Sequence, residues 1–288
     1  MSSAGGSAVF RSLRHRNARL FFVGLSVSQV GTWMQLTAMS LLVYELTGKA
    51  TDVGITLLCQ FLPMLVLGVW AGSVADRTDK RRMTFITQAA MAVQALGLGV
   101  LTLTDLVNLP LVYVLSFVLG VVNALDNPAR RGFVIELVDP SEISNVVSLN
   151  TAVMTGSRIF GPAIAAMLVD PLGPGWLFVA NGVSYLAILG ALSRVDRSTL
   201  YPSPPARAGG TPVRDALRYV AHDPRLRVLY VVFTVIGTFA FNYNVSLLKL
   251  ADGRFGDGRT FGWLLAITSI GSMAGALATG ALRRVGSA

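Results

Sequence analysis

The fold is decided by the stretch Gly72-Ser-Val-Ala-Asp-Arg-Thr-Asp-Lys-Arg-Arg82, which lies between two long apolar runs. It places six charged residues within the seven positions 76–82. Its first five residues close one hydrophobic segment, and its last three form a basic cluster that opens the next. We call residues 72–82 the hairpin and interpret it as a cytoplasmic connection between two membrane helices.

The composition indicates that lipid is the solvent for most of the chain. Of the 288 residues, 53% are hydrophobic and only 14% are charged, whereas soluble globular domains carry about 25% charged residues. The net charge of +9 is carried mainly by short loops between apolar runs. This distribution is typical of membrane topology and does not indicate nucleic-acid binding.

Several classes of site are excluded by residue counts. The single cysteine, Cys59, cannot form an intrachain disulfide, and the two histidines, His15 and His222, cannot form a histidine-rich metal or catalytic centre. There is no phosphate-binding glycine loop and no catalytic constellation, so we predict neither an enzyme nor an ATP-driven pump. We expect no metal, no cofactor and no cleaved signal peptide.

Eight apolar segments of membrane-spanning length follow a polar and basic stretch at residues 1–19. A bilayer requires about 20 residues per helix, and these runs are too long and too uniformly apolar for barrel strands. We therefore predict an all-α membrane protein. The spans are placed at about 20–44, 53–75, 83–104, 109–126, 142–169, 174–193, 228–250 and 261–282.

The distribution of lysine and arginine predicts the orientation. With the N-terminus inside, the inner segments hold 19 of the 24 basic residues and the outer loops hold four, while Arg158 lies within a span. Positive residues concentrate on the cytoplasmic side of membrane proteins. We expect a multi-pass protein of the plasma or inner membrane with a cytoplasmic N-terminus.

A linker divides the predicted spans into two groups. Residues 194–225 contain prolines at 202, 204, 205 and 212 and a Gly209-Gly210 pair, which is typical of a flexible connection. An apolar stripe of Val213, Leu217 and Val220 then predicts a helix lying on the membrane surface. We expect a six-helix N-terminal half at 1–193, a cytoplasmic linker at 194–225 and spans seven and eight of a second half at 226–288.

The second group of spans begins to repeat the first. Gly31-Thr-Trp33 recurs as Gly237-Thr-Phe239, and the spacing from Gly54 to Gly72 recurs from Gly262 to Gly280. Repeats of this kind are an established transporter architecture. Two six-span units require twelve spans, of which eight are found, so we expect a C-terminally truncated chain.

Two loop signals refine the spans around residue 130. Asn127-Pro128 predicts the start of a short surface helix through about Val138. Asp139-Pro-Ser-Glu142 predicts an N-cap, a first-turn proline and a reciprocal glutamate at the start of span five. Glu136 and Glu142 are expected to serve capping or surface roles.

The hairpin resembles the loop signature of the major facilitator superfamily, Gly-x-Leu-x-Asp-Arg-x-Gly-Arg/Lys-Arg/Lys. The residues that match the signature, with Val for Leu and with Asp79 in place of its second glycine, are Gly72, Val74, Asp76, Arg77, Lys80 and Arg81. The resemblance implies a major facilitator-type bundle, of which the chain holds 8 of an expected 12 spans. It also implies a secondary transporter of a small molecule that works by alternating access.

Span five carries a second resemblance. Gly156 and Gly161-Pro162 lie in a stretch similar to the Gly-Pro-x-x-Gly-Gly element of exporters and proton antiporters in this superfamily, with Ala165-Ala166 as the final pair. Asp126-Asn-Pro-Ala-Arg130 together with Arg158 is similar to the enterobactin-exporter branch. The arginine that many proton-linked drug exporters carry within span four is absent from 109–126.

The resemblance implies that the hairpin is a gate. Asp76 would face the positive N-terminal end of a helix in the other half, in span eleven. Arg77 and the basic residues Lys80, Arg81 and Arg82 would pair with acids such as Asp126. The alternative is a plain topology signal, which basic residues alone would satisfy and which requires neither Gly72 nor Asp76.

A charge inside a membrane span is costly, so Arg158 should face the bundle interior or a water-filled cavity. It could bind an anion or couple transport, or it could form a structural pair with an acid. Because spans one, four and seven line the central cavity of the superfamily, their polar residues are also substrate candidates, with interhelical hydrogen bonds as the alternative role. These candidates are Gln29, Trp33, Thr37, Asn123, Asn242 and Asn244.

The sequence favours an exporter of a small drug-like or siderophore-like compound driven by proton antiport. Membrane lipid, a small-molecule substrate and protons are the expected partners, and no nucleic acid is expected. Two alternatives stay open at this point: import of a small metabolite, and a truncated membrane fragment without transport activity. The sequence leaves the oligomeric state open.

Overall fold

The computed structural model describes residues 11–202, 218–239, 243–255 and 260–271, and within these ranges the secondary structure is helical without strands. The first four long helices are α1 (Arg16–Thr47), α2 (Ala50–Arg77), α3 (Lys80–Leu103) and α4 (Leu109–Glu136). A helical run Ile143–Arg194 follows. Short 3₁₀ turns lie at Arg11–Arg14, Pro140–Glu142 and Arg197–Thr199.

The long run is folded back on itself at one glycine. Gly173 has φ 75° and ψ 163°, which is not helical and which only glycine adopts without strain. The break separates α5 (143–172) from α6 (174–194). Pro171 and Pro174 flank it, and each removes a backbone donor that a continuous helix would need. Predicted spans five and six therefore correspond to two separate arms.

Within the described ranges, residues 218–222 are also helical, and three longer helices follow them: α7 (Pro224–Phe239), α8 (Tyr243–Phe255) and α9 (Thr260–Gly271). Predicted span seven is covered by α7 and α8, and α9 covers the first part of predicted span eight. Residues 203–217, in the middle of the predicted linker, and residues 272–282 of span eight lie outside the described ranges. Each of the six predicted spans in 20–193 corresponds to one helix, to within one residue at its ends.

In the part of the chain that the structure describes, four helical segments could cross a membrane by length and composition: Ala50–Arg77, Lys80–Leu103, Leu109–Glu136 and Pro140–Arg194, the last of which contains both arms. α1 is also long, with 32 residues, but it is not one of the four. Its apolar surface is interrupted by polar residues such as Gln29 and Gln35. Gln35 is satisfied within the bundle, since its side chain bonds Gln94 and Asn181.

The distribution of polar and apolar side chains is the one a membrane requires. Gln88 and Asn181 are almost fully buried, at 0% and 1% exposed. Leu65 and Val93 face outward and are 81% and 71% exposed. Large apolar side chains on the outer surface of a helical bundle are stable in lipid. The fold class predicted from the sequence, an all-α membrane bundle, is confirmed.

α4 differs from its prediction, because it continues through Pro128 to Glu136 as one helix. The predicted start of a separate surface helix at Asn127-Pro128 is therefore wrong. The residues after the proline are held by packing, since Phe133 is fully buried and meets Phe21 of α1 edge to face at 5.4 Å. The extension places Arg130 and Arg131 within α4, although the predicted span four contained no arginine.

The connection between α4 and α5 is capped in part as predicted. The Asp139 carboxylate accepts a hydrogen bond from the Ser141 amide at 2.9 Å. Hydrogen bonds from the Ser141 amide and hydroxyl hold the pKa of the Asp139 carboxyl below its usual value. Glu142 does not complete a reciprocal cap, because its carboxylate instead meets Arg11 and His15, each at 2.8 Å.

The helices pack in pairs around two apolar clusters. α1 lies along the Ile143–Arg194 run, α2 against α4, and α3 against both α4 and that run. Gly120 permits the closest approach of α4 to α2, since a side chain there would meet the Gln60 carbonyl oxygen and lie 2.9 Å from Pro63 Cγ. α8 joins α1 through a 2.6 Å hydrogen bond from the Tyr44 hydroxyl to Asp252.

One end of the bundle carries the start of α1, α3 and α5 and the end of α2, α4 and α6; we call it the hairpin face. Two hairpin side chains brace this face. Lys80 Nζ lies 2.7 Å from Glu136 Oε1 of α4, and the two side chains are 13% and 11% exposed. Arg81 Nε donates to the Leu192 carbonyl at 2.8 Å and so caps the end of α6. Glu136 therefore forms a nearly buried ion pair, which the expected capping or surface role did not include.

We expect Lys80→Met to lower the thermal unfolding midpoint of the purified chain, because it leaves the nearly buried Glu136 carboxylate without its ammonium partner. The loss should be about 1–3 kcal/mol. Arg82→Met is the matched control, since it removes the same charge from an exposed hairpin side chain. The thermal unfolding midpoints of the two variants are compared in detergent with a probe that does not depend on thiol chemistry. Equal midpoints for the two variants would show that the Lys80–Glu136 pair does not brace the bundle.

Candidate substrate cavity

A cavity of about 680 Å³ lies between α1, α2, α4 and α5. Its apolar wall includes Leu36, Phe61, Met64, Met91 and Met154. Its polar wall is formed by amide and charged side chains from α1, α2, α4 and α5. These are Gln29, Gln60, Asn123, Asp126, Asn127, Arg130, Arg131, Asn150 and Arg158.

The polar residues reach the cavity because they recur every four positions, which places them on one face of a helix. On α4 the row is Asn123, Asn127 and Arg131. α4 runs toward the hairpin face, so Arg131 is the member of its row closest to that face.

α5 contributes a second row of the same kind, made of Asn150, Met154 and Arg158. α5 runs in the opposite direction to α4. Arg158 is therefore the member of its row that lies farthest from the hairpin face. The two rows are antiparallel and place an arginine at opposite ends.

Four of the predicted cavity residues line this space: Gln29, Trp33, Asn123 and Arg158. Thr37 does not, because it is 1% exposed and donates to the Trp33 carbonyl at 3.1 Å. Asn242 lies outside the described residues, as does the side chain of Asn244. That any of these residues binds a substrate stays a prediction.

Arg158 lies over the indole of Trp33, with its guanidinium carbon 5.0 Å from the ring centroid. A cation over an aromatic face is stabilised by the ring quadrupole, most strongly for tryptophan. Within the described residues Arg158 forms no ion pair with an acid. The structural pair considered as an alternative for Arg158 is therefore not observed in this part of the chain.

The Gly161-Pro162 element forms a close packing seam. A side chain at Gly161 would meet Trp33 Cβ and would lie 2.8 Å from the Met34 nitrogen. The small residue thus lets α5 approach α1 at the position of Trp33. On its other side, a side chain at Gly262 of α9 would lie 2.8 Å from the Pro162 carbonyl oxygen. A side chain at Gly156 would meet only the Phe160 ring, at 4.0 Å.

Asp126 is buried and fully engaged within the six-helix part. Its Oδ2 accepts from Arg130 Nε at 3.0 Å, and the two side chains are 3% and 6% exposed. Its Oδ1 accepts from Thr87 at 2.8 Å and from Gln88 at 2.9 Å. The expected pairing of Asp126 with the basic hairpin residues is therefore wrong for this structure, because an arginine one turn along α4 already occupies the carboxylate.

The hairpin itself has a tight and locally satisfied turn. Asp79 has φ −62° and accepts from the Arg82 amide at 2.9 Å as the N-cap of α3. The turn therefore does not require the glycine of the signature. A Cβ added to Gly72 would have no atom within 4 Å, so this glycine faces open space. Asp76 and Arg77 are exposed, and the contact expected between Asp76 and span eleven stays a prediction.

Sequence reasoning missed Asn127, Asn150 and Arg131 as cavity residues. The available signal was their spacing of four or eight residues from Asn123 and Arg158. On α4 this spacing was not recognised because the span was predicted to end at residue 126. The buried amide network that joins α1, α3 and α6 was also missed, since Gln35, Gln94 and Asn181 come from three distant parts of the chain.

Comparison with known proteins places this architecture in a family. The profile of the family described as "Transmembrane secretion effector" matches residues 7–288. The staphyloferrin A transporter of Staphylococcus aureus is 27% identical over 88% of this chain and 62% of its own length. The multidrug efflux pump Tap of Mycolicibacterium fortuitum is 27% identical over 92% of this chain and 66% of its own.

An uncharacterised MFS-type transporter of Bacillus subtilis, YfiS, is 23% identical over 90% of this chain and 62% of its own length. The chain thus spans about three fifths of the length of the first curated relatives it matches. The family profile nevertheless covers almost the entire chain. The protein therefore belongs to the transmembrane secretion effector family of major facilitator transporters.

Proposed function

We propose that the protein exports a small organic compound across the plasma or inner membrane by alternating access. The observation that carries this proposal is the cavity of about 680 Å³ with amide and arginine side chains inside an apolar bundle. Polar groups at membrane depth are costly unless they pair or line a water-filled pathway. The name of one relative, a multidrug efflux pump, supports the direction of transport, and the name of another, the staphyloferrin A transporter, supports a transported compound.

The hairpin face is proposed to be cytoplasmic. Support comes from the distribution of lysine and arginine, since the segments predicted to be on the inner side hold 19 of the 24 in the sequence. Asp76, exposed at the end of α2, would then contact the positive end of a helix in the second half and hold this side closed. Lys80 and Arg81 contact the first half and Asp79 caps α3, so Asp76, Arg77 and Arg82 are the charged hairpin residues left for contacts between halves.

Proton antiport is the proposed drive. It is supported by the likeness of the Gly161-Pro162 element to that of proton antiporters in the superfamily. The absence of a phosphate-binding glycine loop from the sequence agrees with it. Within the described residues Asp126 is the one acidic side chain that lines the cavity. Because its carboxylate is paired with Arg130 in this conformation, this pair would have to open before Asp126 could take up a proton.

The direct test is transport into inverted membrane vesicles with an acidic lumen. We expect uptake of a drug-like or siderophore-like compound that depends on the imposed proton gradient and stops when an ionophore collapses it. Vesicles without the protein are the control. Uptake only in right-side-out vesicles would contradict export and would indicate import. Uptake that is indifferent to the gradient would contradict proton antiport.

Asp76→Asn should reduce transport by up to about tenfold, since the loss of a charge next to a helix end is worth on the order of 1 kcal/mol. Its abundance in the membrane should not change, because Asp76 is exposed and its neighbours do not depend on it. Asp79→Asn is the matched control, because asparagine caps a helix as well as aspartate does. Transport by Asp76→Asn at the rate of the control would contradict the proposed gate.

A further inference from the structure

The cavity carries a surplus of positive charge. Four of its lining residues in the described part of the chain are charged: Asp126, Arg130, Arg131 and Arg158. Asp126 and Arg130 neutralise each other through their 3.0 Å contact. The remaining donors of Arg130 face Asn127 at 3.1 Å and the Met154 sulfur at 3.9 Å. Arg130 is therefore occupied, and two arginines are left.

Arg131 and Arg158 are both exposed and lack an acidic partner among the described residues. Both guanidiniums stay charged at any physiological pH. A concave site with low-dielectric walls strengthens the field of the charges that line it and concentrates ions of opposite sign. The electrostatics of the cavity therefore favour an anion and disfavour a cation.

The two free arginines lie at different depths. The contact between Arg130 and Met154 places these two positions of α4 and α5 at a similar depth. Arg131 is one residue closer to the hairpin face than Arg130, and Arg158 is four residues farther from that face than Met154. At 1.5 Å per residue, their backbones are separated by about 8 Å along the helix axes. The spacing therefore suits an extended ligand with one anionic group for each arginine.

The wall beside the anchors offers hydrogen bonds. Asn127, on α4, lies between the two arginines, and Asn150 lies on α5 about 5 Å beyond Arg131 toward the hairpin face. Asn150 Oδ1 is buried and has no hydrogen-bond partner in the described part of the chain. A buried acceptor without a partner costs free energy, and a hydroxyl or N–H of a ligand would satisfy it. Met154 adds a polarizable apolar surface for the carbon skeleton.

The deep anchor is oriented by an aromatic ring. Trp33 lies under the Arg158 guanidinium, and Gly161 holds α5 against α1 at this point. A stacked guanidinium keeps its edge free, and that edge fits a carboxylate through two parallel hydrogen bonds. Arg158 is therefore placed to recognise a carboxylate.

We propose that the cavity binds an organic anion with at least two carboxylates and a hydroxyl or N–H, the carboxylates held by Arg158 at the deep end and Arg131 toward the hairpin face. This inference rests on the proposed function, since it names the substrate class of the same cavity. A neutral or cationic drug of equal size would leave both arginines without a counter-charge.

Ligand binding to the whole chain in lipid nanodiscs tests the proposal without requiring transport. Trp70, Trp176 and Trp263 are replaced by phenylalanine, so that emission reports on Trp33 next to Arg158. Citrate is the probe, because it combines three carboxylates with a hydroxyl. Its neutral triethyl ester and the polycation spermidine are the comparison ligands. We expect a saturable change in Trp33 emission with citrate and none with the other two.

Matched variants assign the response to the two anchors. Arg158→Gln and Arg131→Gln should each weaken citrate binding by about tenfold, as expected for the loss of one charge-assisted hydrogen-bonded pair. Arg19→Gln is the control, because it removes an exposed arginine outside the cavity, and it should bind citrate as the parent does. Correct folding of every variant is checked by its thermal unfolding midpoint.

Three results would overturn the proposal: no saturable response to citrate, a stronger response to spermidine, or citrate binding that both cavity variants retain. None of these results bears on whether the protein exports a compound in the vesicle assay. Conversely, citrate binding without transport of any compound would support the anion site and contradict the proposed export. The two proposals therefore fail separately.

Discussion

Inside a membrane, a polar side chain must find its partner within the protein or in water enclosed by the protein. This constraint sorts the polar residues of the bundle into two groups. Gln35, Gln94 and Asn181 satisfy one another across α1, α3 and α6, and Asp126 is satisfied by Arg130 with Thr87 and Gln88. Arg131, Asn150 and Arg158, by contrast, line the cavity, where the two arginines have no acidic partner and Asn150 Oδ1 has no hydrogen-bond partner among the described residues.

Close helix contacts make this sorting possible. Gly120 lets α4 meet α2, and Gly161 lets α5 meet α1 directly beside Trp33. Without a Cβ at these positions the backbones approach closely, which is how helices associate in lipid when no hydrophobic force drives them together. The same contacts bring the Asn123 and Asn150 rows to opposite walls of one space. The same small residues therefore determine both the close packing of the helices and the position of the cavity walls.

Much of the six-helix part could be predicted from the sequence, because its signals are local. The charged hairpin at 72–82 separates apolar runs of known minimum length, and each predicted span in 20–193 matches one helix to within one residue. The placement of Arg158 at a cavity followed from the cost of a charge in lipid. The extension of α4 beyond Pro128 did not follow, since it depends on Phe133 packing against Phe21, a contact between distant residues. The partners of Asp126 and Glu136 escaped prediction for the same reason.

The central claim is that Asn123 faces water in the middle of an apolar bundle. It is tested most directly by the reactivity of a cysteine at this position toward a small, charged, membrane-impermeant thiol reagent. The measurement uses membranes in which Cys59 is replaced by serine, with Ser116→Cys on the same helix as the reference, since Ser116 is 0% exposed. The account predicts that Asn123→Cys reacts rapidly and Ser116→Cys does not. Equal and slow reaction at both positions would contradict it.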